Sequence, residues 1–166
     1  MFTKHNDEYW MNQALILAQR AQAEGEVPVG AILILDNNII GQGWNRPIAY
    51  HDPTAHAEII ALRQGGKKQK NYRLPNTTLY VTLEPCMMCT SAIIHSRIYR
   101  LVYGASNKKT RILSSILDIL HYLGINHHIK ISTGVLTEAC SQLLSTFFNK
   151  QRLQQKIKKL TQQDNA

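Results

Sequence analysis

Two short motifs constrain the fold of this chain more than any other feature of its 166 residues. The first is Thr-Ala-His-Ala-Glu, which carries His56 and Glu58, and the second is Pro-Cys-Met-Met-Cys, which carries Cys86 and Cys89. Imidazole and thiolate are donors that zinc prefers in proteins. If both motifs serve one metal ion, the helices that carry them begin at the same edge of a sheet, where open α/β sheets bind their ligands.

Hydrophobic periodicity predicts helices and strands that alternate after an initial hairpin. Helices are predicted over residues 6–23, 54–63, 87–95 and around 113–123, with a last helix from Thr137 onward, and strands over 29–35, 39–44, 77–83, 98–103 and 128–132. Asp52-Pro53 is predicted to cap the second helix and Gly65-Gly66 to end it. The fold class is therefore α/β, a mixed sheet with helices on both faces.

Length and composition fit one globular domain, which we place at residues 1–160, followed by a frayed tail at 161–166. Hydrophobic residues make up 44% of the chain and charged residues 18%. No apolar run is long enough to span a bilayer and no secretory signal is present, so we expect a cytoplasmic protein without a membrane partner. The formal net charge of +8 favours polyanionic partners, although charge alone is weak evidence.

The spacing within each motif suits a shared metal. Cys86 and Cys89 lie at i and i+3, so they share one face at the start of the third predicted helix, where the helix dipole lowers the pKa of a thiol. His56 and Glu58 lie at i and i+2, which would point them to different sides of a regular helix. They can converge only in its first turn.

One histidine and two cysteines make three ligands, and a catalytic zinc keeps three protein ligands and leaves one position for water. Glu58 is of the right type to take a proton from that water. Alone, the cysteine pair could be a redox pair or part of a structural zinc site, and His-x-Glu could occur by chance. Cys140 is expected to be a small buried hydrophobe. His51 is left open between ligation, helix capping and contact with a substrate.

The two motifs in this order are the signature of zinc deaminases, and here the chain resembles the cytidine deaminase-like superfamily. More closely, it resembles the bacterial tRNA-specific adenosine deaminases, from Glu8 to about Arg152. The similarity includes residues 27–31, 43–46, 51–58, 71–74, 79–89, 94–97 and 147–148. The resemblance implies a three-layer α/β/α fold with a mixed five-stranded sheet, one Zn²⁺ per subunit, and a homodimer in which both subunits form each substrate cleft.

The resemblance also implies a reaction, the conversion of the wobble adenosine of a tRNA anticodon stem-loop to inosine. Water activated by zinc would attack C6 of adenine, and Glu58 would move the protons. Asn45 would contact the base, although a turn residue is the alternative interpretation. Val29, Gly30 and Ala31 would line the pocket.

Outside the pocket, basic and aromatic side chains are candidates for contact with RNA. Of Phe147 and Phe148, one is expected to pack in the core, and the other, taken as Phe148, could stack on a neighbouring base. Two basic clusters could contact phosphate or could be solvated loops: Lys67, Lys68, Lys70 and Arg73, and Lys108, Lys109 and Arg111. For the run from Lys156 to Lys159 the solvated interpretation is preferred.

One segment departs from the family pattern, since Asn107 stands where the family usually has an acidic residue. We hypothesise that the chain therefore rejects DNA less strongly than its relatives do. Two other functions remain open at this point. A deaminase of free cytosine or guanine would share the site but would not need the basic surface, and a zinc-stabilised RNA-binding module would have four protein ligands and no need of Glu58.

Overall fold

A five-stranded mixed sheet is the frame of the molecule, in a computed structural model that describes residues 5–106 and 127–163. The elements are α1 (Asp7–Ala23), β1 (Gly30–Leu35), β2 (Asn38–Trp44), α2 (Pro47–Tyr50), α3 (Ala57–Gln69), β3 (Thr78–Leu83), α4 (Met87–His95), β4 (Arg100–Ala105), β5 (Lys130–Thr133) and α5 (Thr137–Gln163). The predicted strands agree with these bounds to within two residues at each end.

The strand order β2-β1-β3-β4-β5 decides where a site can form. β1 runs antiparallel to β2 and β3, whereas β3, β4 and β5 are parallel. The carboxyl ends of β2 and β3 therefore share one edge of the sheet with the amino end of β1. The chain enters α3 and α4 from this edge, as the sequence predicts.

Successive residues of β1 point to opposite faces of the sheet and build two buried clusters. Leu33 packs in one cluster with Ala61 of α3, and Ile32 packs in the other with Met11 of α1 and Cys140 of α5. α4 contributes to the same cluster as α3. Helices therefore cover both faces, and the predicted three-layer α/β/α architecture is confirmed.

The predicted start of the second long helix is wrong. α3 begins at Ala57 with His56 at its N-cap, three residues later than predicted. Asp52 does not cap it, because its Oδ1 accepts hydrogen bonds from the backbone N–H and the hydroxyl of Thr54, at 2.8 and 2.7 Å. Such a local turn competes with helix formation. The late start places His56 at the end of the helix axis, where its side chain can reach past the first turn.

The predicted end of this helix is also wrong, because α3 continues through Gly65 and Gly66 to Gln69. The reason for glycine at position 65 is close packing, since a Cβ there would lie 2.4 Å from Leu33 Cδ2. Lys70, in the left-handed region with φ 51°, ends the helix instead. A glycine pair thus marks a close approach to the sheet here, and not a helix end.

β2 presents glycine where α3 crosses it, so the helix that begins beside His56 packs closely against the sheet. A Cβ on Gly43 would lie 2.3 Å from Ala57 O, in the residue that follows His56. We expect Gly43→Ala to lower the free energy of unfolding by about 1–3 kcal/mol, because the backbone of α3 would have to move away. Denaturant unfolding measures this, with Gly66→Ala as the matched control.

Gly66→Ala should stay within about 1 kcal/mol of the wild type, because alanine is favoured over glycine in a helix. Its Cβ would meet only Asn71 O, at 3.3 Å. Equal stability of the two variants would contradict the assigned contact between β2 and α3.

α5 divides into a packed half and an exposed half, as its sequence predicts. Cys140 and Phe147 are buried, whereas almost all described side chains after Phe147 are exposed. The helix reaches Gln163, three residues into the tail that is predicted to be frayed. The domain boundary at residue 160 remains a prediction, and the helical stretch predicted around 113–123 lies outside the described residues. In the part that the structure describes, no helix is long and apolar enough to cross a membrane.

Candidate active site

His56, Cys86 and Cys89 meet at the edge of the sheet where α3 and α4 begin. Their donor atoms all lie within 4.8 Å of one another. His56 Nδ1 is 3.6 Å from Cys86 Sγ and 3.5 Å from Cys89 Sγ. Two sulfurs and one imidazole nitrogen at these separations suit a single zinc ion with one position left open.

Helix starts bring these side chains together. His56 and Cys86 are the N-cap residues of α3 and α4, with extended backbone, and Cys89 follows in the first turn of α4. Glu58 is the second residue of α3. The expectation that His56 and Glu58 converge only in a first turn is therefore confirmed, although the helix begins later than predicted.

The pKa values of the two thiols are shifted in opposite directions. The pKa of Cys86 falls to about 4, chiefly because the Cys89 thiol donates a hydrogen bond to it and also because His56 lies alongside. The pKa of Cys89 is raised by the same hydrogen bond and by burial. The predicted lowering agrees in direction with the pKa of Cys86, whereas at Cys89 the contact with Cys86 and burial act in the opposite direction.

Glu58 is a buried carboxylate beside the ligand group. Only 4% of its surface is exposed, and burial raises its pKa to about 7, with the nearby Cys86 acting in the same direction. The Cys89 thiol lies beside its carboxylate, so the carboxylate faces the ligands. A group with a pKa near neutrality can both accept and return a proton at physiological pH.

A cavity of about 270 Å³ opens onto this group. Its lining consists of Val27, Val29, Asn45, Pro47, His56, Glu58, Leu83, Glu84, Pro85 and Cys86. Drug-sized ligands usually occupy pockets of roughly 300–1,000 Å³, so this space suits one small heterocycle. Mainly apolar walls surround a few convergent polar groups.

Only some of the predicted pocket residues line the cavity. Val29 and Asn45 line the cavity. Gly30 and Ala31 are not among the lining residues, because Ala31 is buried in the core and Gly30 packs against α1. A Cβ on Gly30 would lie 2.0 Å from Ala14 O. The sequence pattern therefore located this end of β1 but did not separate the cavity side from the helix side.

The remaining predicted residues lie outside the cavity. His51 is exposed at the C-cap of α2 and is not part of the ligand group. Cys140 is buried against Gly104 at the sheet, and burial raises its pKa to about 11. Phe147 is buried and Phe148 is exposed, so the predicted split between the two rings is confirmed. Contact of His51 or Phe148 with a substrate remains a prediction.

Only one of the two predicted basic clusters lies within the described residues. The Nζ of Lys68 donates a hydrogen bond to Ile39 O, and its neighbours Lys67, Lys70 and Arg73 are exposed near the end of α3. Lys108, Lys109, Arg111 and the unusual Asn107 lie outside the described residues.

Sequence reasoning missed part of the cavity wall. Val27, Pro47 and Leu83 line it without having been singled out. Their signal was positional, since Val27 precedes β1, Pro47 follows β2 and Leu83 ends β3, all at one edge of the sheet.

Comparison with protein families identifies the architecture. Residues 4–105 match the family model described as the cytidine and deoxycytidylate deaminase zinc-binding region. The chain belongs to this zinc-binding deaminase family. The matched segment contains every residue of the His56, Cys86 and Cys89 group as well as Glu58, so family membership and site geometry agree.

Within the deaminase family, two relatives align with this chain over most of their length. The tRNA-specific adenosine deaminase of Haemophilus influenzae is 58% identical over 154 residues, which are 92% of this chain and 89% of the relative. The tRNA-specific adenosine deaminase of Streptococcus pyogenes serotype M1 is 35% identical over 95% of this chain and 92% of its own length.

Solved structures show the same deaminase fold. A structure from a study of A-to-I editing by tRNA A34 deaminases at the wobble position has a TM-score of 0.76 and 38% identity, covering 82% of this chain and 99% of that protein. The guanine deaminase from Nitrosomonas europaea has a TM-score of 0.74 and 25% identity, covering 86% of this chain and 84% of that protein. The fold predicted from the resemblance is thereby confirmed.

In this deaminase, Asn45 combines the two interpretations that the sequence offers. It lines the cavity, and its Oδ1 accepts a hydrogen bond from Ala57 N at 2.9 Å, which fixes the start of α3. We expect Asn45→Ala to lower the free energy of unfolding by about 0.5–2 kcal/mol, as losing a helix cap does. Asn45→Asp should keep the cap and yet raise KM, since its carboxylate has no amide donor and adds charge beside Glu58.

Urea unfolding and steady-state kinetics on the same preparations separate the two roles. If Asn45→Asp keeps both the stability and the KM of the wild type, Asn45 has only a capping role.

Proposed function

We propose that the chain catalyses the hydrolytic deamination of adenosine to inosine at the wobble position of a tRNA anticodon. The observation that carries this proposal is the buried Glu58 carboxylate facing a group of three zinc-type ligands inside a cavity of about 270 Å³. The relatives named as tRNA-specific adenosine deaminases, which this chain matches over most of their length, support the choice of substrate.

The donor set fits a catalytic zinc. His56, Cys86 and Cys89 would hold the ion, one per subunit, and three protein ligands leave a position for water. When bound, zinc supplies a Lewis acid that lowers the pKa of water. A structural zinc in an RNA-binding module would normally have a fourth protein ligand, and neither Cys140 nor His51 belongs to the group.

Glu58 moves the protons in this proposal. Its carboxylate takes a proton from the attacking water and gives it to the adenine ring nitrogen next to C6. It then takes the remaining proton from the new hydroxyl on C6 and gives it to the amino group, so that the C6 carbonyl of inosine forms as the C6–N bond breaks and ammonia leaves. A pKa near 7 suits both directions of transfer. Because Glu58 is buried beside apolar walls, bulk water does not compete for these protons.

The cavity walls orient the base. Asn45 uses its Oδ1 for α3, so its amide NH₂ can donate to a nitrogen of the purine. Val29, with Val27 and Pro47, encloses the ring. Gly30 and Ala31 contribute by keeping the end of β1 close to the helices. Exposed Phe148 and His51 are available for the nucleotides that flank the flipped base.

The proposed partner is the tRNA anticodon stem-loop, and the net charge of +8 supports its attraction to phosphate. We further propose a homodimer in which both subunits form each cleft, and a cytoplasmic location, where reducing conditions keep Cys86 and Cys89 available for zinc.

A second candidate is a free-base deaminase, favoured by the likeness to the Nitrosomonas europaea guanine deaminase. One assay separates the candidates: the zinc-loaded protein is incubated with an anticodon hairpin carrying a wobble adenosine and, separately, with guanine and cytosine. We expect inosine in the hairpin, loss of activity with a chelator, and no ammonia from the free bases. Ammonia from guanine together with an unmodified hairpin would overturn the proposal.

A further inference from the structure

Glu26 is a carboxylate that the proposed chemistry does not use, yet only 2% of its surface is exposed. Acidic side chains are almost never buried to this degree unless they have partners. Within residues 5–106 and 127–163, no lysine or arginine forms an ion pair with it. Its partner is a backbone amide, because Oε1 accepts a hydrogen bond from Ala49 N at 2.9 Å.

Ala49 is the third residue of the four-residue helix α2. First-turn N–H groups have no acceptor within their own helix, and the N-cap residue Arg46 provides no side-chain hydrogen bond. Glu26, 23 residues earlier in the chain, supplies this acceptor from outside the helix.

α2 forms part of the wall of the substrate cavity. Pro47, its first residue, lines the cavity, and so does Val27, the residue after Glu26. Asn45 Oδ1 accepts the hydrogen bond that holds the start of α3. Two buried polar side chains, Glu26 and Asn45, thus hold the starts of the two helices that contribute residues to the cavity wall.

We propose that Glu26 is a positioning residue, which fixes α2 so that Pro47 keeps its place in the cavity wall when a nucleobase enters. This inference rests on the proposed function and deepens it. Glu26 does not line the cavity, so it acts on binding through α2 and not on the reacting atoms. Its loss therefore raises KM and leaves kcat nearly unchanged.

Steady-state deamination of the anticodon hairpin by Glu26→Ala and Glu26→Gln tests this role. We expect Glu26→Ala to raise KM about tenfold, equivalent to about 1.4 kcal/mol, with kcat and zinc content retained. Glu26→Gln should restore most of the affinity, because its amide oxygen still accepts the Ala49 hydrogen bond. Glu138→Ala, at an exposed carboxylate on α5, is the matched control and should behave as the wild type.

Ala49→Pro provides a second variant, since it removes the donor and leaves Glu26 in place. Proline is tolerated in a first helical turn, and Ala49 is exposed. If the two residues act through one bond, the double variant Glu26→Ala/Ala49→Pro raises KM no further than either single variant. The single variant Ala49→Pro also tests the contact if Glu26→Ala does not fold.

Three results would overturn the inference: an unchanged KM in Glu26→Ala, equal impairment of Glu26→Gln and Glu26→Ala, or additive effects in the double variant. Amide hydrogen exchange at Ala49 adds a readout that needs no activity, and we expect faster exchange in Glu26→Ala than in Glu138→Ala. Equal exchange rates would also count against the bond. A wild type that makes no inosine would overturn the proposed function, and the exchange rates would still decide the Glu26 contact.

Discussion

Glu58→Gln is expected to abolish deamination of the wobble adenosine while the protein keeps its zinc. Glutamine has nearly the same shape as glutamate, but it cannot take a proton from water or return one to the leaving amino group. General acid-base catalysis contributes about 10²–10⁴-fold to a rate, and Glu58 serves several transfers in one cycle. We therefore expect kcat to fall by at least about 10³-fold, measured as inosine formed in the hairpin under single-turnover conditions.

The controls for Glu58→Gln are the zinc content by elemental analysis and the affinity for the hairpin by filter binding. Both should match the wild type, because Glu58 is not in the ligand group. Residual activity within tenfold of the wild type would show that another group carries the protons, and loss of zinc would show that Glu58 is itself a ligand.

Cys89→Ser is expected to lose both zinc and activity. Cys89 is fully buried, and its sulfur is one of the three donors that surround the proposed metal position. A serine hydroxyl is a poor zinc ligand near neutral pH, so the site falls to two good ligands. We expect zinc content to drop from about one ion per chain to a small fraction of that value, and deamination to become undetectable.

Cys140→Ser is the matched control for this experiment. Cys140 is also buried, but it lies against Gly104 and outside the ligand group. It should keep one zinc per chain and most of the activity, with a modest loss of stability from placing a hydroxyl in an apolar site. Loss of zinc from Cys140→Ser would contradict a three-ligand site made of His56, Cys86 and Cys89.

The metal group could be predicted from sequence because its members lie in short motifs. The i, i+3 spacing of Cys86 and Cys89 predicted that both thiols can bind one ion. The strand pattern before them placed their helix at the edge of the sheet. The position of His56 could be inferred from chemistry even though the helix start was placed wrongly. The requirement that His56 and Glu58 converge on one metal predicted their place in the first turn better than the Asp52-Pro53 capping pattern predicted the helix start.

Other features depended on contacts that no local pattern encodes. Gly65 resembles a helix end until Leu33 is seen to occupy the space of its missing side chain. Gly30 and Ala31 belong to the right strand end but point to α1 and to the core. Glu26 shows its partner only when α2, a short helix that the periodicity does not reveal, is folded against it. These are effects of tertiary packing between segments far apart in the chain.

The most direct test of the account is the X-ray absorption spectrum of the zinc-loaded protein. We predict two sulfur scatterers, one imidazole, and one further light atom that shows no outer-shell imidazole pattern, as expected for water. A third sulfur, which would implicate Cys140, or a second imidazole would show a metal closed by protein ligands and would contradict the proposed catalytic site.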